Sequence, residues 1–219
     1  NLWYKEKKKV IKNKLVSYID MNKLPNQRLD FWDKKHFLKP YTGKLYQTGF
    51  FEMSRGCMHK CHYCFNRHMQ VNLPQTETGK YRRNKSFDAI IREVLELHKN
   101  KNFELIMFTD DNFLARSYKE MEEFYERWSK EVKIPYWINT CIETLNEENL
   151  PLLKKSKCIG IGIGMETGSE WVRRNILKKG KMTNKMYLDG FKMMAKHGIR
   201  STCNVMVGFP GEFEEDVFD

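Results

Sequence analysis

The pattern of apolar and polar positions changes character at about residue 48. Before that point, residues 1–19 carry apolar side chains at a roughly helical spacing, which predicts an N-terminal helix ending near Pro25. Residues 20–47 show no sustained period and contain two prolines among several aromatic residues. This composition predicts an ordered linker laid across a surface. We therefore interpret residues 1–47 as a helix and linker that follow an upstream domain.

From residue 48 onward, short apolar runs alternate with amphipathic stretches. The runs cover residues 48–53, 103–109, 136–142, 158–165 and 202–209. The stretches with helical spacing cover residues 87–98, 117–130, 147–155, 170–177 and 183–197. Expected helix caps are Ser86, Ser117, Asn146 and Thr183, with Gly198 as a stop. Runs that are apolar on both faces and separated by helices predict a parallel sheet, in either a barrel or an open doubly wound arrangement.

Polar residues follow the carboxyl ends of several predicted strands, and this placement favours the barrel. They are Cys57, Asp110, Asp111, Glu143, Glu166 and the segment 208–212. Active sites of parallel α/β barrels are built from loops at that rim. The predicted fold class is α/β, a partial parallel TIM-like barrel with about five βα units over residues 48–219. Because the chain starts at Asn1 and stops inside a helix-like run, we expect a piece of a longer protein.

Residues 54–65 contain Cys57, Cys61 and Cys64 at the spacing CxxxCxxC. Thiolates select iron–sulfur clusters, zinc or cuprous copper, and three of them leave a coordination position open, as catalytic metal sites do. A non-enzymatic zinc-binding module is the alternative, because His68 would complete a Cys3His site. The two histidines between the cysteines, His59 and His62, are expected to point outward and have no assigned role.

The cysteine spacing, with the aromatic Tyr63 before the last cysteine, resembles the hallmark of the radical S-adenosylmethionine (radical SAM) enzymes. The resemblance implies a partial barrel of six βα units, the last of which this chain lacks. It also implies that the three thiolates hold a 4Fe-4S cluster whose fourth iron is chelated by SAM. One-electron reduction, from a donor such as flavodoxin or ferredoxin, then cleaves SAM to methionine and a 5′-deoxyadenosyl radical. Tyr63 is counted among the cofactor-binding positions.

Two further motifs resemble SAM-binding signatures of that family. The run Gly-Ile-Gly-Met-Glu-Thr-Gly-Ser at 162–169 resembles the fourth-strand signature, in which Glu166 would accept hydrogen bonds from the ribose hydroxyls. Asp110 and Asp111 occupy the place where many members carry Gly-Gly-Glu, so either aspartate would contact the SAM ammonium group. The competing interpretations are a surface glutamate in a glycine-rich turn and a plain turn at the strand end.

The segment 204–212 resembles the family's fifth-strand motif, with departures from the GxIxGxxE pattern. Asn204 stands at the first glycine, Met206 at the isoleucine, and Glu212 lies one residue beyond the expected glutamate. We therefore assign the adenine contact to the backbone near Val207 and Gly208. A bare Pro-Gly turn at 210–211 is the alternative.

The Asp-Asp motif and the linker resemble the branch of the family that carries an upstream cobalamin-binding domain. That resemblance implies cobalamin as a further cofactor and transfer of a methyl group from cobalt to an unactivated carbon or phosphorus. A second enzymatic interpretation is tRNA methylthiolation, because those enzymes share the opening Ser-Arg-Gly-Cys at 54–57.

The formal net charge of +11 raises the question of a nucleic-acid partner. Much of the excess lies in lysines near the N-terminus, which we interpret as a solvated helix face. They are Lys5, Lys7, Lys8, Lys9, Lys12 and Lys14. No apolar run long enough to span a membrane and no signal segment is present, so we expect a cytoplasmic location. Cys141, Cys158 and Cys203 are expected to be reduced core thiols, with Cys141 buried and inert.

Overall fold

The computed structural model of the chain describes residues 3–73 and 75–218, so the outer ends of the two predicted segments, at residues 1, 2 and 219, lie outside it. Within these ranges the strands are β1 Trp3–Glu6, β2 Lys9–Lys12, β3 Leu38–Tyr41, β4 Lys44–Phe51, β5 Ser54–Arg55, β6 Arg83–Asn84, β7 Leu105–Phe108, β8 Tyr136–Thr140, β9 Cys158–Glu166 and β10 Arg200–Val205. The α-helices are α1 Phe65–Asn72, α2 Gln75–Thr78, α3 Phe87–Lys101, α4 Tyr118–Arg127, α5 Asn149–Lys155, α6 Asn184–Lys196 and α7 Glu215–Phe218.

The central sheet has the strand order β10-β9-β8-β7-β4-β3, and every neighbouring pair except β3 with β4 is parallel. The hydroxyl of Tyr41, on β3, donates a hydrogen bond of 3.2 Å to the carbonyl oxygen of Ile159, on β9. These strands are four positions apart, which is about 19 Å in a flat sheet at about 4.8 Å per strand. The sheet is therefore curled, and the predicted partial barrel is confirmed.

Helices α3, α4 and α6 begin directly after the predicted caps Ser86, Ser117 and Thr183, whereas α5 begins three residues after Asn146. Each predicted cap has a side-chain oxygen that accepts a hydrogen bond from the backbone N–H group three residues later. These residues are Ser86, Ser117, Asn146 and Thr183. Ser117 and Glu120 form a complete capping box, in which each side chain binds the other residue's backbone. Gly198 follows α6 with a φ of 63°, a conformation that glycine adopts without strain.

The two faces of the sheet differ in what they bury. Helices cover one face, where Ile161 and Ile163 of β9 are fully buried in the core. On the opposite face of β9, positions 160, 162 and 164 are glycines, where a Cβ atom would collide with Trp137, Asn139 and Glu166. The apolar half of this alternation fills the core, and the glycines leave space inside the half-barrel for neighbouring side chains and, at Gly162 and Gly164, line the cleft described below.

The N-terminal helix was predicted wrongly. Residues 3–12 form an antiparallel hairpin in which Glu6 pairs with Lys9. Lys7 and Lys8, at the turn, have φ angles of 43° and 70°, as both central residues of a type I′ hairpin turn do. The spacing of apolar residues in 1–19 gives no sign that two consecutive residues adopt left-handed backbone angles. The predicted linker is ordered and contains short 3-10 turns and β3. The lysines near the N-terminus are exposed, most of them on the hairpin.

Among the described residues, no helix is both long enough and apolar enough to cross a bilayer.

Candidate active site

The loop that carries the three cysteines is braced on both sides by hydrogen bonds. Gly56, with a φ of 88°, opens it at a place where a Cβ would lie 2.8 Å from the carbonyl oxygen of Tyr81. Its N–H donates to Asp111 Oδ2 at 3.0 Å. Gln70, on α1, donates to the carbonyl oxygens of Cys57 and His59 at 3.1 and 2.7 Å. The loop is therefore held in one shape before any ligand binds.

The three thiols Cys57, Cys61 and Cys64 line one cleft of about 190 Å3 at the carboxyl ends of the strands. Each is a free thiol, and Cys61 is buried. The backbone N–H of His59 donates to Cys57 Sγ at 3.4 Å, and the side chain of Asn66 donates to Cys64 Sγ at 3.6 Å. Hydrogen bonds to cysteine sulfur are one of the features that tune iron–sulfur centres.

The geometry does not match the alternative zinc site. His68 lies exposed on α1, where its Nδ1 is 2.7 Å from Asn72 Nδ2, and it does not line the cleft. Within residues 3–73 and 75–218, no three His, Cys, Asp or Glu side chains are placed to share one metal ion. Thiolates on one tetrahedral zinc lie about 3.8 Å apart, since each Zn–S bond is about 2.3 Å. Three thiolates on one loop are also the kind of ligand set that holds an iron–sulfur cluster.

The wall opposite the cysteines is formed by the end of β9 and the segment that follows it. Glu166 Oε1 forms an ion pair with Lys179 Nζ at 2.8 Å, and both side chains are nearly buried. Glu166 has a φ of 76°, which strains a non-glycine residue, and its carbonyl oxygen accepts a hydrogen bond of 2.7 Å from the N–H of Met206. A Cβ at Gly164 would collide with the Glu166 carboxylate. The sequence therefore leaves room at this position for the carboxylate to face the cleft.

The two adjacent aspartates have different surroundings. Asp111 lines the cleft and accepts hydrogen bonds from the N–H of Gly56 and from Asn66. Asp110 is 3% exposed and is not among the cleft-lining residues. Its carboxyl accepts hydrogen bonds from the Met53 N–H at 3.0 Å and the Ser54 hydroxyl at 2.5 Å. Asp110 thus anchors the chain that leads into the cysteine loop, and of the two only Asp111 is placed to meet a ligand.

Burial raises the pKa of Asp110 from 3.8 to about 6, against the opposing effect of its hydrogen bonds with Ser54 and Met53. The folded protein therefore binds this proton more tightly than the unfolded chain, and stability falls as the pH rises from about 4 through 6. Asp110→Asn removes the charge. We expect the free energy of unfolding of the variant minus that of the wild type to increase by up to about 3 kcal/mol as the pH rises from 4 to 7. Urea denaturation of iron-free protein measures this, and a pH-independent difference would contradict it.

The predicted adenine contacts lie at the exposed edge of the sheet. Val207 is 68% exposed, and neither it nor Gly208 lines the cleft. The Glu212 carboxylate accepts hydrogen bonds from the N–H groups of Gly208 and Phe209 at 2.6 and 3.1 Å and from the hydroxyl of Thr167. Glu212 therefore ties the loop after β10 to the end of β9. The adenine contact itself stays a prediction.

Six cleft-lining residues had no predicted role. They are His59, Asn66, Asn139, Thr140, Lys179 and Asn204. His59 was expected to point outward, and that expectation was wrong, because its Nε2 lies 2.9 Å from Glu143 Oε1. The only sequence signal for His59 was its position between two cysteines. The side chains of Asn139 and Asn204 reach the cleft because β8 and β10 both pair with β9, which the sequence alone does not show. His62 is exposed, as expected.

Cys141 also lines the cleft, so it is a fourth thiol facing the same space. Burial raises its pKa to about 12, which keeps the thiol neutral at ordinary pH. A neutral thiol is a poor nucleophile and a poor metal ligand. Cys141 is half-buried and not fully buried as predicted, and its lack of reactivity stays a prediction.

Comparison with known proteins places this arrangement in a family. The sequence model described as "Radical SAM superfamily" matches residues 51–219. An uncharacterized methyltransferase of Pyrococcus horikoshii is 25% identical over 219 residues, which are 99% of this chain and 44% of that protein. The ribosomal protein uS12 methylthiotransferase RimO of Clostridium acetobutylicum is 27% identical over 182 residues, which are 77% of this chain and 38% of that protein.

The fold has solved neighbours. One is the radical S-adenosylmethionine methyltransferase TsrM from Kitasatospora setae with cobalamin and a [4Fe-4S] cluster bound. Its TM-score is 0.62 at 16% identity, and the match covers 78% of this chain and 33% of that one. At this identity the likeness shows the fold alone. The chain spans less than half the length of each of these three proteins.

Proposed function

Because the chain belongs to the radical SAM superfamily, we propose that Cys57, Cys61 and Cys64 bind a 4Fe-4S cluster and that the cleft beside them binds SAM. One observation carries this proposal: three free thiols on a braced loop share a cleft with the Glu166–Lys179 ion pair. When bound, the cluster supplies the electron that cleaves SAM into methionine and a 5′-deoxyadenosyl radical. A reductant of the flavodoxin or ferredoxin type would deliver that electron.

The residues of the cleft provide the groups that SAM requires. Glu166 presents a carboxylate that can accept hydrogen bonds from two vicinal ribose hydroxyls. Asp111 places a second carboxylate beside the cysteine loop, where it can accept from an ammonium group. Gly162 and Gly164 line the cleft without side chains of their own, so a ligand can approach the backbone there. Tyr63, which projects from the cysteine loop, would form a further side of the cofactor site.

Methyl transfer with cobalamin is the finer reaction that we propose. The uncharacterized methyltransferase of Pyrococcus horikoshii aligns with 99% of this chain, and TsrM, which shares the fold, was solved with cobalamin bound. Cobalamin would bind outside the residues described. The full-length protein is expected to retain cobalamin through purification and to transfer a deuterated methyl group from labelled SAM. Protein that binds no cobalamin at all would contradict this finer assignment.

A methylthiotransferase function is the second candidate, supported by the 27% identity to RimO. Such a reaction inserts sulfur as well as a methyl group. Mass analysis of the modified substrate distinguishes the two candidates, because sulfur insertion adds about 32 Da to the mass gained by methylation alone.

Metal analysis tests the cluster directly. Anaerobically reconstituted full-length protein is expected to hold at least about four iron and four sulfide per chain and to give an electron paramagnetic resonance (EPR) signal after reduction with dithionite. Addition of SAM is expected to change that signal, because SAM binds beside the thiols. A colourless protein that holds one zinc would contradict the proposal.

The variant His68→Ala separates the cluster from a Cys3His zinc site. The His68 ring lies outside the cleft and is paired with Asn72, so its loss is expected to leave the iron and sulfide contents unchanged. The measurement is iron and sulfide per chain, with wild type as reference. Loss of the bound metal from His68→Ala would favour the zinc interpretation.

A further inference from the structure

Lys179 lies almost fully buried in the cleft and contacts two other side chains. Its side chain is 7% exposed, and its ammonium group lies 2.8 Å from Glu166 Oε1 and 3.2 Å from the Tyr63 hydroxyl. Lys179 therefore donates to both partners and links Tyr63 to Glu166. The three side chains form one network centred on the ammonium group.

This network holds the cysteine loop against the segment that follows β9. Tyr63 lies between Cys61 and Cys64 in the chain, and the N–H of its neighbour His62 donates to the carbonyl oxygen of Leu177 at 2.8 Å. The loop is thus attached to residues 177–179 by one backbone and one side-chain hydrogen bond. The ammonium group is therefore held at a fixed position relative to any group that the cysteines bind.

The Lys179 side chain lines the same cleft as the three thiols. Lys179 is the only lysine or arginine among the described residues that line the cleft. A buried ion pair is weak evidence for a stabilising role, because desolvation offsets much of the attraction. Its position beside the thiols indicates another use.

We propose that Lys179 is a positioning residue that raises the reduction potential of the centre held by Cys57, Cys61 and Cys64. This inference rests on the proposed function, in which those thiolates hold the cluster. A fixed positive charge stabilises the state that has gained an electron, and net charge and burial are the levers that set cluster potentials. Tyr63 fixes the distance between that charge and the loop.

The test is an EPR-monitored redox titration of reconstituted full-length protein, without added SAM. The variants are Lys179→Met, Lys179→Arg and the matched control Lys178→Met, whose side chain is exposed one residue away. Lys179→Met is expected to lower the equilibrium constant for one-electron reduction at least tenfold, which is 59 mV for a one-electron couple. Lys179→Arg and Lys178→Met are expected to titrate close to wild type. Iron content is measured in all four proteins.

Several outcomes would overturn the inference. One is a Lys179→Met protein with full iron content that titrates at the wild-type potential, and another is an equal shift in Lys178→Met. If Lys179→Met assembles no cluster, Glu166→Gln provides the second measurement, because it keeps the ammonium group and removes the neighbouring negative charge. Its potential is expected to rise, and an unchanged or lower value would reject the electrostatic role. A wild-type protein that assembles no cluster would instead refute the proposed function.

Discussion

Cys61→Ala is expected to abolish SAM cleavage and to remove most of the bound iron. Cys61 is the buried thiol of the loop, so alanine leaves one iron of the proposed cluster without a ligand at a place that water does not readily reach. We expect the rate of 5′-deoxyadenosine formation to fall by at least about 10³-fold, or about 4 kcal/mol at 1.36 kcal/mol per tenfold. The measurement is product formation after anaerobic reconstitution, with iron counted in the same sample.

Cys141→Ala is the matched control for this prediction. Cys141 lines the same cleft but lies at the end of β8, outside the loop. Its neutral thiol is not needed to hold the cluster, so the variant should keep its iron and its EPR signal. Iron retained by Cys61→Ala and lost by Cys141→Ala would show that a different set of cysteines holds the centre.

Glu166→Gln is expected to weaken SAM binding by about 10- to 100-fold. Hydrogen bonds to a charged group contribute about 1.5–3 kcal/mol, and glutamine keeps the shape of the side chain while it loses the charge. The substitution also leaves the Lys179 ammonium group without its anionic partner in a buried place, which adds to the loss. The measurement is the equilibrium dissociation constant of SAM for reconstituted protein, by calorimetry.

The control for Glu166→Gln is Glu147→Gln, an equally conservative change on the surface. Glu147 forms an exposed ion pair with Lys196 and does not line the cleft. Its dissociation constant for SAM should match wild type. A Glu166→Gln protein with wild-type affinity would mean that the ribose is held elsewhere, and the assignment of the β9 end as the ribose site would then be wrong.

The barrel strands were predictable because their signals are local. Residues 159–165 alternate between apolar residues and glycine, and the structure uses both halves of that pattern, one for the core and one for the interior of the half-barrel. The helix starts follow from Ser, Asn and Thr caps that need only their own neighbours. The hairpin at 3–12 was missed because two consecutive lysines in the left-handed region have no strong sequence signature.

The candidate site was predictable only in part, and the misses have tertiary causes. The cysteines, Asp111 and Glu166 were predicted as site residues, and the structure brings them to one cleft. Asp110 could not be separated from its neighbour by sequence, because which of two adjacent residues turns inward depends on the packing of the strand end. The burial of Lys179 depends on the cysteine loop, which lies more than a hundred residues earlier in the chain.

The most direct test of the central claim is the fate of SAM on the reduced protein. Anaerobically reconstituted full-length enzyme is mixed with dithionite and SAM, without added substrate, and the products are separated by chromatography. We predict methionine and 5′-deoxyadenosine in equal amounts, absent when Cys61→Ala replaces wild type. Iron-loaded wild-type protein that leaves SAM intact, and whose EPR signal does not respond to SAM, would contradict the account.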